Sequence, residues 1–294
     1  VSGHLILISS YLKSGNTWAR AIFEQLRRGP AWKFSINEMP GGFYGFSQRL
    51  LFDSASPVNA ADLFADEIDD MFPHVLRHLT QEDPQTHIMK THDKARRTRG
   101  GDWVYPPDAV FGVIYLVRHP FDIAVSCANH LGMSLPDTVA FMGDGKIVHS
   151  ASRETPLSLP QHVGSWTDNV RSWLSETPHR VALARYEDMH ADPVSEFGRL
   201  ARAAGLFSTQ EEINRAVAGS AFERMRLEEA ASGFRERPPA SPAFFREGKP
   251  RTWEGTLDQS LLERLVHDHG AMMERLGYLP SGGVIPLPAD SFAK

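Results

Sequence analysis

The chain has a single cysteine, Cys127, so no internal disulfide can form, and a reducing compartment is expected. It lacks any apolar run approaching the roughly 20 residues of a membrane span, and no signal-peptide pattern opens it. It also lacks excess positive charge. A formal net charge of −5 leaves no overall basic field to gather phosphates, which argues against a nucleic-acid partner. The 13 histidines form no H-x-E-x-x-H pattern and no Cys/His ligand set, so no metal is expected. Of the clusters that do occur, HDH (267–269) reads as the solvated face of a late amphipathic helix, and KARRTR (94–99) reads as a solvated surface stretch. G-x-x-x-x-G-K-[ST] is absent as well, which disfavours ATP with magnesium. Together these absences predict a soluble, cytoplasmic protein with neither membrane nor nucleic-acid partner.

What is present suits a large α/β core. Of the 294 residues, 41% are hydrophobic, enough for one large domain, or at most two, without disulfide staples. Short β-rich runs stand at HLILIS (4–9), THIMK (86–90), VFGVIYLV (110–117) and RVALARY (180–186), each followed by a polar turn and a helical pattern. That alternation predicts a central parallel sheet flanked by crossover helices, with ligands at the carboxyl ends of the strands. Helices are expected over 17–28, 60–80, 120–131, 160–176, 193–204, 209–218 and 258–276. Loop-like segments cover 36–59, 143–159 and 228–243, and the end after Pro280 reads as an extended tail.

Four stretches at strand ends carry chemistry. YLKSGNTW (11–18) joins the first strand to a helix through a turn whose backbone N–H groups, with Lys13, Ser14 and Thr17, could surround a tetrahedral anion; a plain turn with a surface lysine fits too. In YLVRHPFDIAVSCANH (115–130), Arg118 is the first residue beyond a strand and Pro120 opens the helix that carries Ser126, a second anion site unless Arg118 pairs with Asp122. KTH (90–92) offers a general base, His92, with Lys90 on the same side of the strand; a satisfied structural histidine is the alternative. RYEDM (185–189), SAFERM (220–225) and FFREGKPRTW (244–253) mix aromatics, which stack on purines or simply pack a core, with phosphate-binding cations.

In this order the stretches resemble the soluble sulfotransferases that use 3′-phosphoadenosine 5′-phosphosulfate (PAPS), in a bacterial-like form. YLKSGNTW resembles that family's 5′-phosphosulfate loop, YLVRHPFDIAVS its 3′-phosphate motif, and FFREGKPRTW a degraded R-K-G-x-x-G-D-W segment; KTH, RYEDM, SAFERM and HVGSWTDNVRSW (162–173) fall in the same order. The resemblance implies a single P-loop-like α/β domain over 1–280, a C-terminal tail over 281–294, and PAPS as co-substrate without a metal. It implies that Lys13, Ser14, Gly15, Asn16, Thr17 and Trp18 hold the 5′-phosphosulfate. Arg118 and Ser126, with Arg246 and the backbone at Gly248, would take the 3′-phosphate, and Tyr186, Ser220 and Phe222 the nucleoside. His92, Lys13 and Lys90 would be catalytic, His92 as base.

The chain departs from the family pattern in places. Leu12 replaces a proline, Asn16 a threonine, Glu247 a lysine, and Arg251-Thr252 a Gly-Asp pair, so Lys249 or Arg251 becomes a candidate for the lost 3′-phosphate contacts. The expected acceptor is a small hydroxylated molecule, with a carbohydrate as the rival. Phe43, Tyr44 and Phe46 and the three loop segments are the expected acceptor-side residues. A P-loop-like kinase and a non-catalytic nucleotide-binding protein are the readings from other classes.

Overall fold

The computed structural model describes residues 4–39, 49–82, 85–149, 158–206 and 208–279. Its strands are β1 (His4–Ser10), β2 (Thr86–Thr91), β3 (Val110–Val117), the two-residue β4 (Val148–His149) and β5 (Gln161–His162), and β6 (Val181–Arg185). Four of them form one parallel sheet in the order β2-β1-β3-β6, while β4 and β5 pair as an antiparallel ribbon.

The inner strands β1 and β3 are largely apolar because both faces are covered, while the edge strand β2 is half-buried. Side chains alternate between the two faces: Leu5, Leu7, Val113, Tyr115 and Val117 enter one core, whereas Ile6, Ile8, Ile114, Leu116, Ala182 and Ala184 enter the other. Around the sheet lie α1 (Asn16–Arg28), α2 (Arg49–Ala55), α3 (Ala65–Glu82), α4 (Pro120–Leu131), α5 (Leu135–Gly143), α6 (Trp166–Arg171), α7 (Tyr186–Ala191), α8 (Pro193–Ala203), α9 (Gln210–Gly219), α10 (Phe222–Ser232) and α11 (Gln259–Arg275). Helices α1, α8 and α9 cover one face; α3, α4, α5, α6 and α11 cover the other.

The α/β architecture and the sheet strands stand where the sequence puts them. Other elements differ. The helix expected over 160–176 starts only at Trp166, where Ser165 accepts from Asp168 N–H as an N-cap, and ends in a π-helical turn over Ser172–Glu176. Residues 161–162 belong instead to the ribbon. The expected helix over 60–80 is a short 3₁₀ turn at Ala60–Asp62 followed by α3. The segment 36–59 contains α2, and α10 runs into the 228–243 stretch as far as Ser232.

Two surface readings are also corrected. His269 is buried, with Nδ1 2.9 Å from Thr167 Oγ1, and burial pushes its pKa down to about 4. Arg96 makes a bidentate pair with Asp69 and reaches buried Asp93. Residues Phe43, Tyr44 and Phe46, and the tail from 281 onward, lie outside the described residues. Among the described residues no helix is long and apolar enough to cross a membrane.

Candidate active site

The carboxyl ends of β1, β2, β3 and β6 open onto a cavity of about 1140 Å³. The turn after β1 is held by its backbone. Lys13 takes a left-handed conformation (φ 61°), and so does Gly15 (φ 97°), where a Cβ would stand 2.8 Å from the Tyr186 ring. Asn16 begins α1 and ties it to the strand, donating from Nδ2 to the Ile8 carbonyl (3.0 Å) and to Ser10 Oγ (3.2 Å). Lys13, Gly15, Asn16, Thr17 and Trp18 all line the cavity. Ser14 is buried and its side chain faces inward, its Oγ without a partner among the described residues.

The Lys13 ammonium lies 4.1 Å from the centre of the Phe244 ring and 3.4 Å from His130 Nδ1. Desolvation, aided by Arg118 and Lys90, pulls its pKa down to about 8. An ammonium disfavoured in this way gains from any anion placed beside it.

Strand register fixes the second group. Ile8 pairs with Lys90 and Ser9 with Thr91, which sets His92 beside Ser10. His92 Nδ1 lies 2.9 Å from the Ser10 carbonyl oxygen, an acceptor only, so Nδ1 carries the proton and Nε2 is the basic nitrogen of the neutral ring. The backbone here is secured from behind. His92 N–H donates to Gln161 Oε1 (3.0 Å), and the His92 carbonyl accepts from Asn169 Nδ2 (2.9 Å). The Asp93 carboxylate accepts from Tyr105 (3.1 Å) and the His162 backbone, and the Asp93 carbonyl accepts from Trp173 Nε1 (2.8 Å). Lys90 Nζ sits 2.9 Å from Glu236 Oε2, and both line the cavity.

Arg118 follows β3 as expected, but it does not pair with Asp122. Its guanidinium lies 4.3 Å over the Tyr186 ring and donates to the carbonyls of Lys13 (3.3 Å) and Lys249 (3.0 Å), leaving Nε buried without a partner among the described residues. Asp122 instead accepts from the backbone N–H of Arg251 (2.8 Å) and Thr252 (2.6 Å), folding the 244–253 segment over α4. Ser126, Tyr186, Phe222, Arg246 and Gly248 line the same cavity. Gly248 (φ 62°) carries the Phe222 ring where its Cβ would be.

Some expected residues stand elsewhere. Ser220 is buried behind the wall, its hydroxyl donating to the Ala216 carbonyl (2.9 Å) and accepting from Gln25; Ala218 and Ala221 line the cavity at that point. Lys249 is exposed and lies 3.6 Å from Glu247, while Arg251 turns outward to Glu254 (2.6 Å), so neither lines the cavity. Glu236, Arg20, His130 and Gln161 were not marked by sequence reasoning. Glu236 meets its partners across 146 and 216 residues, beyond any local pattern. His130 lies within a stretch already singled out, one turn of helix after Ser126. Among the described residues no three His, Cys, Asp or Glu side chains converge as a metal site.

The remaining wall is mostly apolar, including Leu131, Val148, Met225, Pro238 and Phe244, with Asn129, His190, Ser241 and Thr252 among its polar members. The arrangement therefore offers cations and backbone N–H groups at the strand ends, a base beside them, and a hydrophobic chamber opposite.

A family model described as the sulfotransferase domain matches residues 4–277. Sulfotransferase 1A1 of the dog, Canis lupus familiaris, is 25% identical over 297 residues, covering 92% of this chain and 84% of the relative. Cytosolic sulfotransferase 16 of Arabidopsis thaliana is 32% identical over 115 residues, covering 35% of this chain and 34% of the relative. Two solved structures share the fold at 17% identity. Retinol dehydratase in complex with androsterone and inactive cofactor PAP superposes with a TM-score of 0.59, covering 92% of this chain and 80% of that one. Mouse sulfotransferase SULT7A1 complexed with PAP gives 0.58, covering 92% and 84%.

Proposed function

From the premise that this chain belongs to the sulfotransferase domain family, we propose how its cavity performs PAPS-dependent transfer of a sulfuryl group to a hydroxyl of a small molecule, with release of 3′,5′-ADP. One observation carries the reading: Lys13, Lys90, His92 and Arg118 come from three separate strand ends and line one cavity. A volume of about 1140 Å³ exceeds the roughly 300–1,000 Å³ of an ordinary single-ligand pocket, which suits a nucleotide and an acceptor bound together.

The residues present fit the nucleotide. Gly15 and Gly248 let the Tyr186 and Phe222 rings pack against the backbone at the cavity wall, and the buried Arg118 Nε and Trp18 Nε1 are donors without a partner among the described residues. Lys13 and the N–H groups of residues 14–18 bind the 5′ end; Ser14 contributes its backbone, since its side chain points inward. Arg118, Ser126, Arg246 and the Gly248 backbone hold the 3′-phosphate. Tyr186, Trp18 and Phe222 border the nucleoside, and Ser220 supports that wall from behind.

The donor supplies a sulfuryl group on a phosphate leaving group, a transfer in which positioning and charge stabilisation are the protein's task. His92 Nε2 takes the proton of the acceptor hydroxyl, while Nδ1–H stays on the Ser10 carbonyl and fixes the ring. Lys13 stabilises the charge left on the phosphate, and Lys90 that on the sulfonate oxygens.

The apolar chamber favours a phenol, alcohol or other hydroxylated natural product over a carbohydrate, whose many hydroxyls would meet few partners there. The same reading takes 1–280 as one sulfotransferase domain with 281–294 as a tail, and places the protein in the cytoplasm, in keeping with the lone buried Cys127. A bacterial-like origin draws no support from the mammalian and plant relatives named above.

The test is calorimetry with 3′,5′-ADP in the absence of metal, followed by transfer from PAPS to a panel of phenols, alcohols and sugars. Tight nucleotide binding with transfer to phenols or alcohols is expected; no binding would end the reading.

A further inference from the structure

A carboxylate on the wall of a site for an anionic donor is unfavourable unless it serves the site. Glu236 is such a group. Its Oε2 lies 2.7 Å from Arg20 NH2 and 2.9 Å from Lys90 Nζ, and its Oε1 lies 2.8 Å from the same Arg20 nitrogen. The three side chains are only 3%, 7% and 11% exposed for Arg20, Glu236 and Lys90. Stability does not account for the cluster, because buried ion pairs often gain less than their desolvation costs and can be replaced by apolar groups without loss. What such a cluster supplies is placement.

The elements involved show which placement. Arg20 belongs to α1, Lys90 to β2, and Glu236 to the loop after α10, whose Pro238, Pro239 and Phe244 form the apolar chamber and whose Arg246 and Gly248 line the nucleotide end. The same loop is packed by Phe234 and Phe245 against Phe34 and Met225. Glu236 is thus the point where the acceptor wall is fastened to the catalytic strand.

We propose that Glu236 is a positioning residue for the transfer step: shared with Arg20, it holds the Lys90 ammonium on the cavity wall and docks the 233–248 loop against β2 and α1. The proposal rests on the sulfotransferase reading for what the cavity holds, but not for the ion-pair geometry. Charge balance supports it. Arg20 and Lys90 against one carboxylate leave a net positive charge, so the wall still attracts the donor. Burial, together with Arg20, pulls the Lys90 pKa down and Glu236 pulls it back up. The Glu236 carboxyl, although burial pushes it up, is held at about 2 by its two cations. The other titratable groups nearby are Lys13, which senses both Lys90 and Glu236 from the β1–α1 turn, and His92 two residues further along.

The chain has seven lysines, so ¹³C labelling at lysine Cε gives few NMR signals, and Lys90→Arg assigns the one in question. In Glu236→Gln the Lys90 titration midpoint moves down; in Arg20→Met it moves up; in Glu236→Asp it stays near the wild-type value. These shifts read the coupling of Lys90 to its two neighbours; the activity of the same variants separates placement from a role confined to folding. In parallel, kcat for transfer from PAPS falls about tenfold in Glu236→Gln, with a smaller change in KM, and Glu236→Asp recovers most of it. An unchanged Lys90 midpoint in Glu236→Gln, or an unchanged kcat, overturns the proposal. Should Glu236→Gln fail to unfold cooperatively, Arg20→Met and Glu236→Asp carry the same comparison. Wild-type protein that transfers nothing from PAPS would overturn the enzymatic reading, and with it the transfer role, while the titration shifts still decide whether Glu236 is coupled to Lys90 as the ion-pair geometry requires.

Discussion

Two halves of the cavity face each other and are held by different means. At the strand ends, the backbone of Lys13, Lys90, His92 and Arg118 is set by sheet register and by bonds to buried neutral side chains, such as Asn169 Nδ2 to the His92 carbonyl. Across from them the 233–253 loop is held largely by carboxylates. Glu229 accepts from Phe244 N–H (2.8 Å) and Phe245 N–H (2.9 Å), Asp122 from the N–H groups of Arg251 and Thr252, and Glu236 pairs with Arg20 and Lys90. One half is fixed by the geometry of the sheet, the other by a few charged anchors. On the proposed reading, the transfer chemistry falls on the half fixed by the sheet, and the half held by charged anchors is the one that single substitutions reshape more readily.

The sharpest division between the halves comes from His92→Ala. Turnover should fall by about 10²–10⁴-fold while 3′,5′-ADP affinity is kept, measured by transfer assay and calorimetry on one preparation; near-normal turnover would remove His92 as base. Arg118→Ala should weaken 3′,5′-ADP binding by about 2–5 kcal/mol, because a buried guanidinium facing a phosphate leaves an unpaired charge when removed. Equal affinity would mean that the nucleotide lies elsewhere.

Next is Gly248→Ala on the loop half. An alanine there would keep a backbone φ near 62° and its methyl would meet the Phe222 ring, so about 1–3 kcal/mol of strain is expected, read as a lower unfolding midpoint and weaker nucleotide binding. The pH dependence separates the halves differently. Burial depresses the Lys13 pKa to about 8, so its proton leaves as pH rises through that value, and kcat/KM for PAPS should fall above about pH 8. In Lys13→Arg that limb should move beyond the accessible range. The smallest effect is expected from Lys249→Ala and Arg251→Ala, whose exposed side chains face away from the cavity; each should change nucleotide binding by less than about 0.5 kcal/mol. A large loss in either would show that the loop reaches the 3′-phosphate by a different cation than Arg246.

The strand-end half was legible in the sequence for a physical reason. Short β-rich runs, apolar and covered on both faces in β1 and β3, declare β1, β2, β3 and β6 to within about a residue or two, and the residues at and just beyond their ends are among those that line the cavity. The loop half was not. Its anchors join residues more than a hundred positions apart, as Arg20 does with Glu236, and no local pattern encodes that. Some misses did have a signal. Ser134-Leu-Pro-Asp137 and Ser165-Trp-Thr-Asp168 are N-cap patterns that mark the starts of α5 and α6, and both caps form. Helix α7 follows β6 without a turn and is only six residues long, too short for apolar periodicity to show. Ser220 was misplaced because its position along the chain does not reveal that its hydroxyl bonds back to α9.

The β4–β5 ribbon has a further consequence for how such an enzyme could diversify. Val148 on one arm borders the chamber, while on the other Gln161 receives the His92 N–H and His162 the Lys94 N–H at its carbonyl. The cost of closing a chain segment between two fixed points grows only slowly with its length, so a segment whose ends are pinned tolerates insertions and deletions. Insertions or deletions in the sequence between 149 and 158 would therefore be borne without moving His92, whose backbone the Gln161 arm holds, so that lineages could vary this segment without first losing the site.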